Sequence, residues 1–373
     1  MNAPLKSTGW TPKRYGSKDD PIRPADLAQL ASPYGCGKRF ELRKLEEGSG
    51  TTADRKRVYG AHIISTATHE VLRRIFTAAS ADVLAGRKPT EQRVRAALLE
   101  EMARAAGGLP IEWKKARPDV EIRAAVAMVR GAVATIPQYF RSILVVEEPF
   151  LVALDTRTSF DESSSAVWAA GTINFAGELH ADGRLVNGMR LNGGLGAALW
   201  STRSTRPNRV VLDHGFDGSI YARALTDGVL SPGTERERSA PGYPSQFFFV
   251  HLRDFVPYSK ATSRRIGEED AAWLGKEVGE MARFVAGDQR GPAWYPSRRT
   301  TRDDDRFFVS VSTITRAVRE EVFVENIDDH CASCPYRDRC LNESLSDIES
   351  LGDFQEALDA IDGSVVTGID HAA

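Results

Sequence analysis

Three of the four cysteines fall within the stretch HCASCPYRDRC, residues 330–340, as Cys331, Cys334 and Cys340, and the fourth, Cys36, lies in SPYGCGKRF near the other end of the chain. A C-x-x-C places two thiolates on one turn, so both can reach one metal, and a third closes from the following loop. Tetrahedral sulfur sites suit zinc or an iron–sulfur cluster. Spacing alone does not choose between them. A fourth ligand is needed, and Cys36 is the remaining cysteine. His330 is a poorer candidate, being adjacent to Cys331. In a reducing compartment, clustered cysteines favour metal over disulfide.

Other residue types point to nucleic acid. STRSTRPNR offers Arg203, Arg206 and Arg209 in a Ser/Thr-rich loop, and WYPSRRTTRDDDR offers Arg298, Arg299 and Arg302 beside Trp294 and Tyr295. Arginines for phosphates with aromatics for base stacking are the chemistry of single-strand binding. Overall charge is −2, but it is uneven: the segment from Glu343 onward holds eight carboxylates and no Lys or Arg. The rest carries 49 bases against 43 acids, a mildly basic body with an acidic tail.

The elements that must position these groups are legible in outline. The composition is that of a globular protein, with 42% hydrophobic and 27% charged residues. No apolar run is long enough to span a membrane, and MNAPLKSTGWTPKRYGSKDDPIRP lacks the apolar core of a secretory signal. A cytoplasmic protein is expected. ADLAQLASPYGCGKRFELRKLE, residues 25–46, reads as helix, turn and helix. Ile64, Ala67, Val71, Leu72 and Ile75 give residues 58–78 helical spacing. Residues 90–140 read as two or three further helices. SILVVEEPFLVAL, residues 142–154, is a buried strand. AVWAAGTINFAGEL and GRLVNGMRL flank a turn at His180–Gly183 and read as a hairpin. DGSIYARAL and residues 270–287 are helical, and FFFVHLRDF is a strand. The order argues for a mixed α/β fold in which residues 142–193 form three strands of one mixed sheet and the helices at 80–140 pack at its edge. The expected organisation is a flexible arm at 1–25, one domain at 26–345 with a helical insertion at about 80–140, and an acidic tail at 346–373.

One early cysteine with a late C-x2-C-x5-C resembles the iron–sulfur members of the RecB-type nuclease family, within the PD-(D/E)XK superfamily. AddB, exonuclease V and the CRISPR-associated spacer-acquisition nucleases belong there. The resemblance implies a restriction-endonuclease-like mixed sheet flanked by helices. It also implies a 4Fe–4S cluster on Cys36, Cys331, Cys334 and Cys340 that staples the domain's ends, with zinc as the alternative. Such a link closes a loop of about 300 residues and is worth on the order of a few kcal/mol.

The family's other motifs can be followed residue by residue. GAHIISTATHEVLRRI supplies the glycine and histidine of the first, as Gly60 with His69 or with His62. VVEEPFLVAL followed by GTIN matches the second, with Asn174 where the metal-binding Asp belongs. GRLVNGMRLNGG aligns with the (D/E)xK motif, with Met189 for the acid and Leu191 for the Lys, and Tyr221 matches the tyrosine of the fourth, with Asp217 in place of its Gln. Hydrolysis in this family takes two carboxylates on Mg or Mn and a Lys beside the attacking water. Asn174, Met189 and Leu191 offer none of these. The neighbouring acids are Glu147, Glu148, Glu178, Asp213 and Asp217, and strand alternation puts Glu178 on the face of Asn174. The resemblance thus implies a catalytically impaired DNA-binding or scaffold subunit in DNA repair, recombination or defence. Its partners would be single-stranded DNA or DNA ends and a helicase, nuclease or other protein subunit, with no membrane. The alternative is an active Mg- or Mn-dependent exonuclease using Glu178 as a substitute acid.

Overall fold

The computed structural model describes residues 10–30, 36–48, 58–113, 117–154, 167–186, 189–203, 209–256, 293–297, 299, 301–323, 334, 336 and 340. The helix expected at 270–287 and the acidic tail lie outside the described residues. The chain divides into two compact units. One comprises residues 14–24 and 53–315, and the other residues 1–13, 25–52 and 316–373.

The larger unit is a mixed α/β structure. Residues 14–24 enter first, with Ile22 bridging Ala169 in parallel, and a two-residue strand β1 (Val58–Tyr59) then pairs in parallel with β2 (Ile111–Glu112). Its main sheet has seven strands: β3 (Val145–Leu154), β4 (Val167–Glu178), β7 (Leu195–Ser201), β8 (Val229–Leu230), β9 (Arg238–Ser239), β10 (Gln246–His251) and β11 (Trp294–Pro296). Their spatial order is β11-β10-β7-β4-β3-β8-β9. Strands β3, β4 and β7 run antiparallel in succession, and β10 joins β7 in parallel. Between β4 and β7, β5 (Leu185–Val186) and β6 (Met189–Arg190) form a small separate hairpin.

The hairpin corrects the sequence reading. Residues 142–193 were expected to supply three strands of one sheet. Two of them do, but the third strand is Leu195–Ser201. The reason is local. Gly193 and Gly194 have φ of 79° and 82°, which only glycine adopts freely. The amide of Gly193 donates to the His180 carbonyl, and that of Gly183 to the Leu191 carbonyl. The chain between them leaves the sheet, and pairing with β4 resumes only at Leu195.

Helix α3 (Gly60–Ala78) follows β1, and its apolar stripe of Ile63, Ile64, Ala67, Val71 and Leu72 is fully buried. The short α4 (Ser80–Leu84) leads to α5 (Glu91–Ala106), capped by the Thr90 hydroxyl accepting from the Arg93 amide and ended by Gly107 at φ 57°. Helix α6 (Pro118–Tyr139) starts with proline, whose missing N–H costs nothing there. The helical region expected to pack at an edge is instead central. Residues from α3, α5 and α6 share one core with Phe175, Ala198, Trp200, Phe248 and Trp294 of the sheet. Tyr139 stacks on Trp294 at 4.3 Å, and the Trp294 indole donates to the Thr135 hydroxyl. The cause is composition: α6 is Ala- and Val-rich nearly all round, so it buries on several sides. Beyond β7 come α7 (Arg209–His214) and α8 (Phe216–Asp227), which packs on β3. No described helix is long and apolar enough to cross a membrane.

The smaller unit holds most of α1 (Pro24–Leu30) and α2 (Gly37–Gly48), with residues 316–323 at the end of α9 (Thr301–Arg319) and beyond. Phe323 packs against Phe40 and Trp10, and the Tyr336 hydroxyl donates to Glu46 at 2.5 Å. An early and a late described segment of the chain therefore fold together in this unit.

Candidate functional site

Strands β3 and β4 bring Glu147 beside Asn174, and α3 carries His69 to the same place. Glu147 is the key to the geometry. Its φ is 45°, a left-handed conformation that costs a side-chain-bearing residue about 1–3 kcal/mol. The strand ladder pairs Val146 with Phe175 and Glu148 with Ile173, on either side of it. The side chain is 9% exposed and is fully engaged. His69 Nδ1 lies 2.6 Å from its Oε1. Asn174 Nδ2 donates to Oε1 and Oε2 at 3.2 and 3.1 Å. Asn174 Oδ1 in turn accepts from the Trp200 amide of β7 at 3.0 Å. Both ends of the amide are thus committed, and both oxygens of the carboxylate are occupied.

The electrostatics follow from burial. Burial opposes a charged imidazole at His69, but the charge and hydrogen bond of Glu147 outweigh it and raise its pKa above the ordinary 6.5. A raised folded-state pKa means that the pair stabilises fully below about pH 6.5 and that this contribution fades as pH rises through the shifted value. His69→Gln is therefore expected to lower the urea midpoint most at acidic pH and to flatten its fall above about pH 6.5. An unchanged pH profile of the midpoint would show that the imidazole is not charged in the fold.

Tyr221 of α8 is buried close by, and its hydroxyl donates to the Thr172 carbonyl. Burial, then Glu147 and Asp217, push its pKa well above the ordinary tyrosine value, so it stays neutral. Burial raises the pKa of Asp217, while the nearby Arg203 and Arg299 pull the other way.

Two expected site positions lie elsewhere. Met189 and Leu191 belong to the excursion between β4 and β7. Met189 is partly buried, Leu191 is fully buried, and both join the apolar core. Glu178 accepts from the Ser142 hydroxyl at 3.1 Å and lies 3.4 Å from the Arg141 guanidinium. It is four residues past Asn174, roughly 13 Å along an extended strand. The acid that meets His69 and Asn174 is Glu147, because its positive φ turns the side chain out of the alternation that sequence reading assumes. The VVEEPF stretch marked it as a neighbouring-strand acid, but nothing in the sequence announces the φ.

Of the arginines offered for nucleic acid, Arg206 and Arg298 lie outside the described residues. Arg203 is exposed at the end of β7. Arg299 is held in the fold: its guanidinium donates to the Gly215 carbonyl at 2.7 Å and to the Ser219 hydroxyl, at the start of α8. A different set of arginines borders the site. A groove of about 420 Å³ runs beside Glu147 and is lined by Arg73, Arg236 and Arg238. Arg73 pairs with Glu70, and Arg238 with Glu148 at 2.7 Å. The guanidinium of Arg236 has no acidic partner among the described residues.

Among the described residues Cys36, Cys334 and Cys340 form no disulfide, and Cys331 lies outside them. Cys36 is buried at the start of α2, where its Sγ accepts from the Arg39 amide at 3.5 Å. That is a donor a thiolate ligand would use. Cys334 and Cys340 belong to the same compact unit. Among the described residues no three of His, Cys, Asp and Glu are grouped so as to hold a metal ion. Neither models of known protein families nor curated protein sequences match the chain.

Proposed function

We propose that the chain is a RecB-like relative of the PD-(D/E)XK nucleases that has kept the frame and a nucleic-acid groove but not the metal chemistry. In this reading it serves as a DNA-binding or scaffold subunit in DNA processing. A mixed sheet flanked by helices, with His69, Asn174 and Tyr221 converging on it, supports the family's fold. The observation that carries the loss of catalysis is the closed set of bonds around Glu147. Hard cations need free carboxylate oxygens. Here the carboxylate that converges among the described residues, Glu147, accepts from His69 and Asn174, and the Asn174 oxygen already accepts a backbone amide. The third-strand neighbour, Leu-Trp-Ser at 199–201, brings neither acid nor Lys.

Cys36, Cys334 and Cys340, with Cys331, would hold the proposed 4Fe–4S cluster. When bound, the cluster supplies a cross-link between the chain's ends. Phe323 on Phe40 and Tyr336 on Glu46 link the segments around these cysteines, which supports that reading.

DNA would lie in the groove bordered by Arg73, Arg236 and Arg238. Anisotropy of a labelled single-stranded oligonucleotide tests this. Affinity is expected to fall log-linearly with salt, and Arg236→Glu is expected to weaken it about tenfold and flatten the salt slope by about 1. Binding that ignores both salt and Arg236 would overturn the groove assignment.

A further inference from the structure

A second cavity opens on the other side of α3, toward α4 and α5. Its volume is about 240 Å³. The floor is apolar, built from Val71, Val83 and Val94, which are all buried, with Ile75 beside them. The mouth is cationic: Arg74, Arg87, Lys88 and Arg93 surround it against a single acid, Asp82.

Two of those cations are accounted for. Arg74 pairs with Glu101 at 2.6 Å and Glu100 at 3.3 Å, and Arg87 pairs with Asp82 at 2.5 Å. Lys88 and Arg93 have no acidic partner among the described residues. Both are exposed at the mouth. Their positions are fixed by the fold. Gly86, at φ 76°, ends α4 and turns the chain back, and Thr90 then caps α5, which sets Arg93 in its first turn. Arg93 shares the first turn with Glu91, and Lys88 precedes the Thr90 cap, so both cations stand beside the cavity at the entry to α5.

We propose that this cavity binds a small amphiphilic anion, with its apolar body on the valine floor and its single carboxylate or phosphate head between Lys88 and Arg93. The volume is below the roughly 300–1,000 Å³ of drug-sized ligand sites, so the occupant is small or enters only by its tail. Apolar burial would supply affinity, and two charge-assisted contacts would fix the head. The site is separate from the groove at Glu147 and does not depend on nucleic-acid binding there.

The test uses the full chain and 8-anilinonaphthalene-1-sulfonate, a fluorescent amphiphilic anion, with competitors. One saturable site is expected. The double variant Lys88→Glu, Arg93→Glu, both exposed, should weaken it by at least about tenfold, the scale of losing two charge-assisted contacts. Ala78→Trp keeps the cations but fills the mouth, and it should abolish binding. Competition by octanoate identifies an acyl carboxylate as the source, and competition by adenosine monophosphate a nucleotide; either supports the proposal. Three results would overturn it: no saturable binding, binding indifferent to both variants, or displacement by inorganic phosphate alone, which marks a simple anion patch. Unchanged oligonucleotide binding in the same variants keeps this outcome distinct from that at the Glu147 groove.

Discussion

Asn174→Asp is expected to destabilise the protein strongly at neutral pH and to make it respond to divalent cations. The substitution replaces an amide that donates to both Glu147 oxygens, at 3.1 and 3.2 Å, with a carboxylate that can donate nothing while ionised. Two buried carboxylates at that separation cannot both ionise, so one takes up a proton or the pair separates. Loss of the buried hydrogen bonds adds to this. A cost of about 3–5 kcal/mol is the scale for an uncompensated charge in such a place. The native site lacks free carboxylate oxygens, whereas the variant has a pair of them beside His69. Added Mn2+ should therefore raise the variant's Tm and leave the wild type unmoved. Differential scanning fluorimetry with and without Mn2+ reads both effects. A wild-type Tm that rises with Mn2+ as steeply as the variant's would show that the parent site already holds a cation.

Cys36→Ser is expected to bleach the visible absorbance of anaerobically purified protein and to lower its stability by a few kcal/mol, the scale of opening a very long cross-linked loop. Cys36 is buried beside Phe40, in the unit that also gathers the C-terminal segment. A brown wild-type protein identifies iron–sulfur, and a colourless one that binds zinc identifies the alternative metal. Wild-type protein with no metal, and with thermal stability indifferent to Cys36→Ser, would remove the staple from the account.

How far the site was legible depended on which physical signal each residue carried. The helix read at 58–78 and the strand read at 142–154 were legible from apolar residues at helical spacing and from a β-branched apolar run, and the structure places them at Gly60–Ala78 and Val145–Leu154. His69 and Asn174 were readable as neighbours only through the family resemblance, and they do meet, through Glu147. The third strand was misplaced for a definable reason. GRLVNGMRL and LGAALWS carry similar strand signals, and the choice between them rests on backbone angles at Gly193 and Gly194 that composition does not report. Glu147 was passed over because alternation assumes an extended backbone, and its φ of 45° breaks that assumption at one residue. The helices at 80–140 were assigned to an edge because the order of elements read as an insertion, but the Ala- and Val-rich surface of α6 needs burial on several sides, and the core supplies it. Arg299 read as a surface cation until its contacts with Gly215 and Ser219 were seen.

Incubation of the anaerobically purified protein with labelled single-stranded and duplex-end DNA, in Mg2+ and then in Mn2+, bears most directly on the loss of catalysis. Intact DNA is expected in both metals at protein concentrations that saturate binding, because Glu147 and Asn174 satisfy each other and, among the described residues, no second acid or Lys bonds to them. Divalent-dependent degradation that disappears in Glu147→Gln would contradict this and establish a working single-carboxylate site.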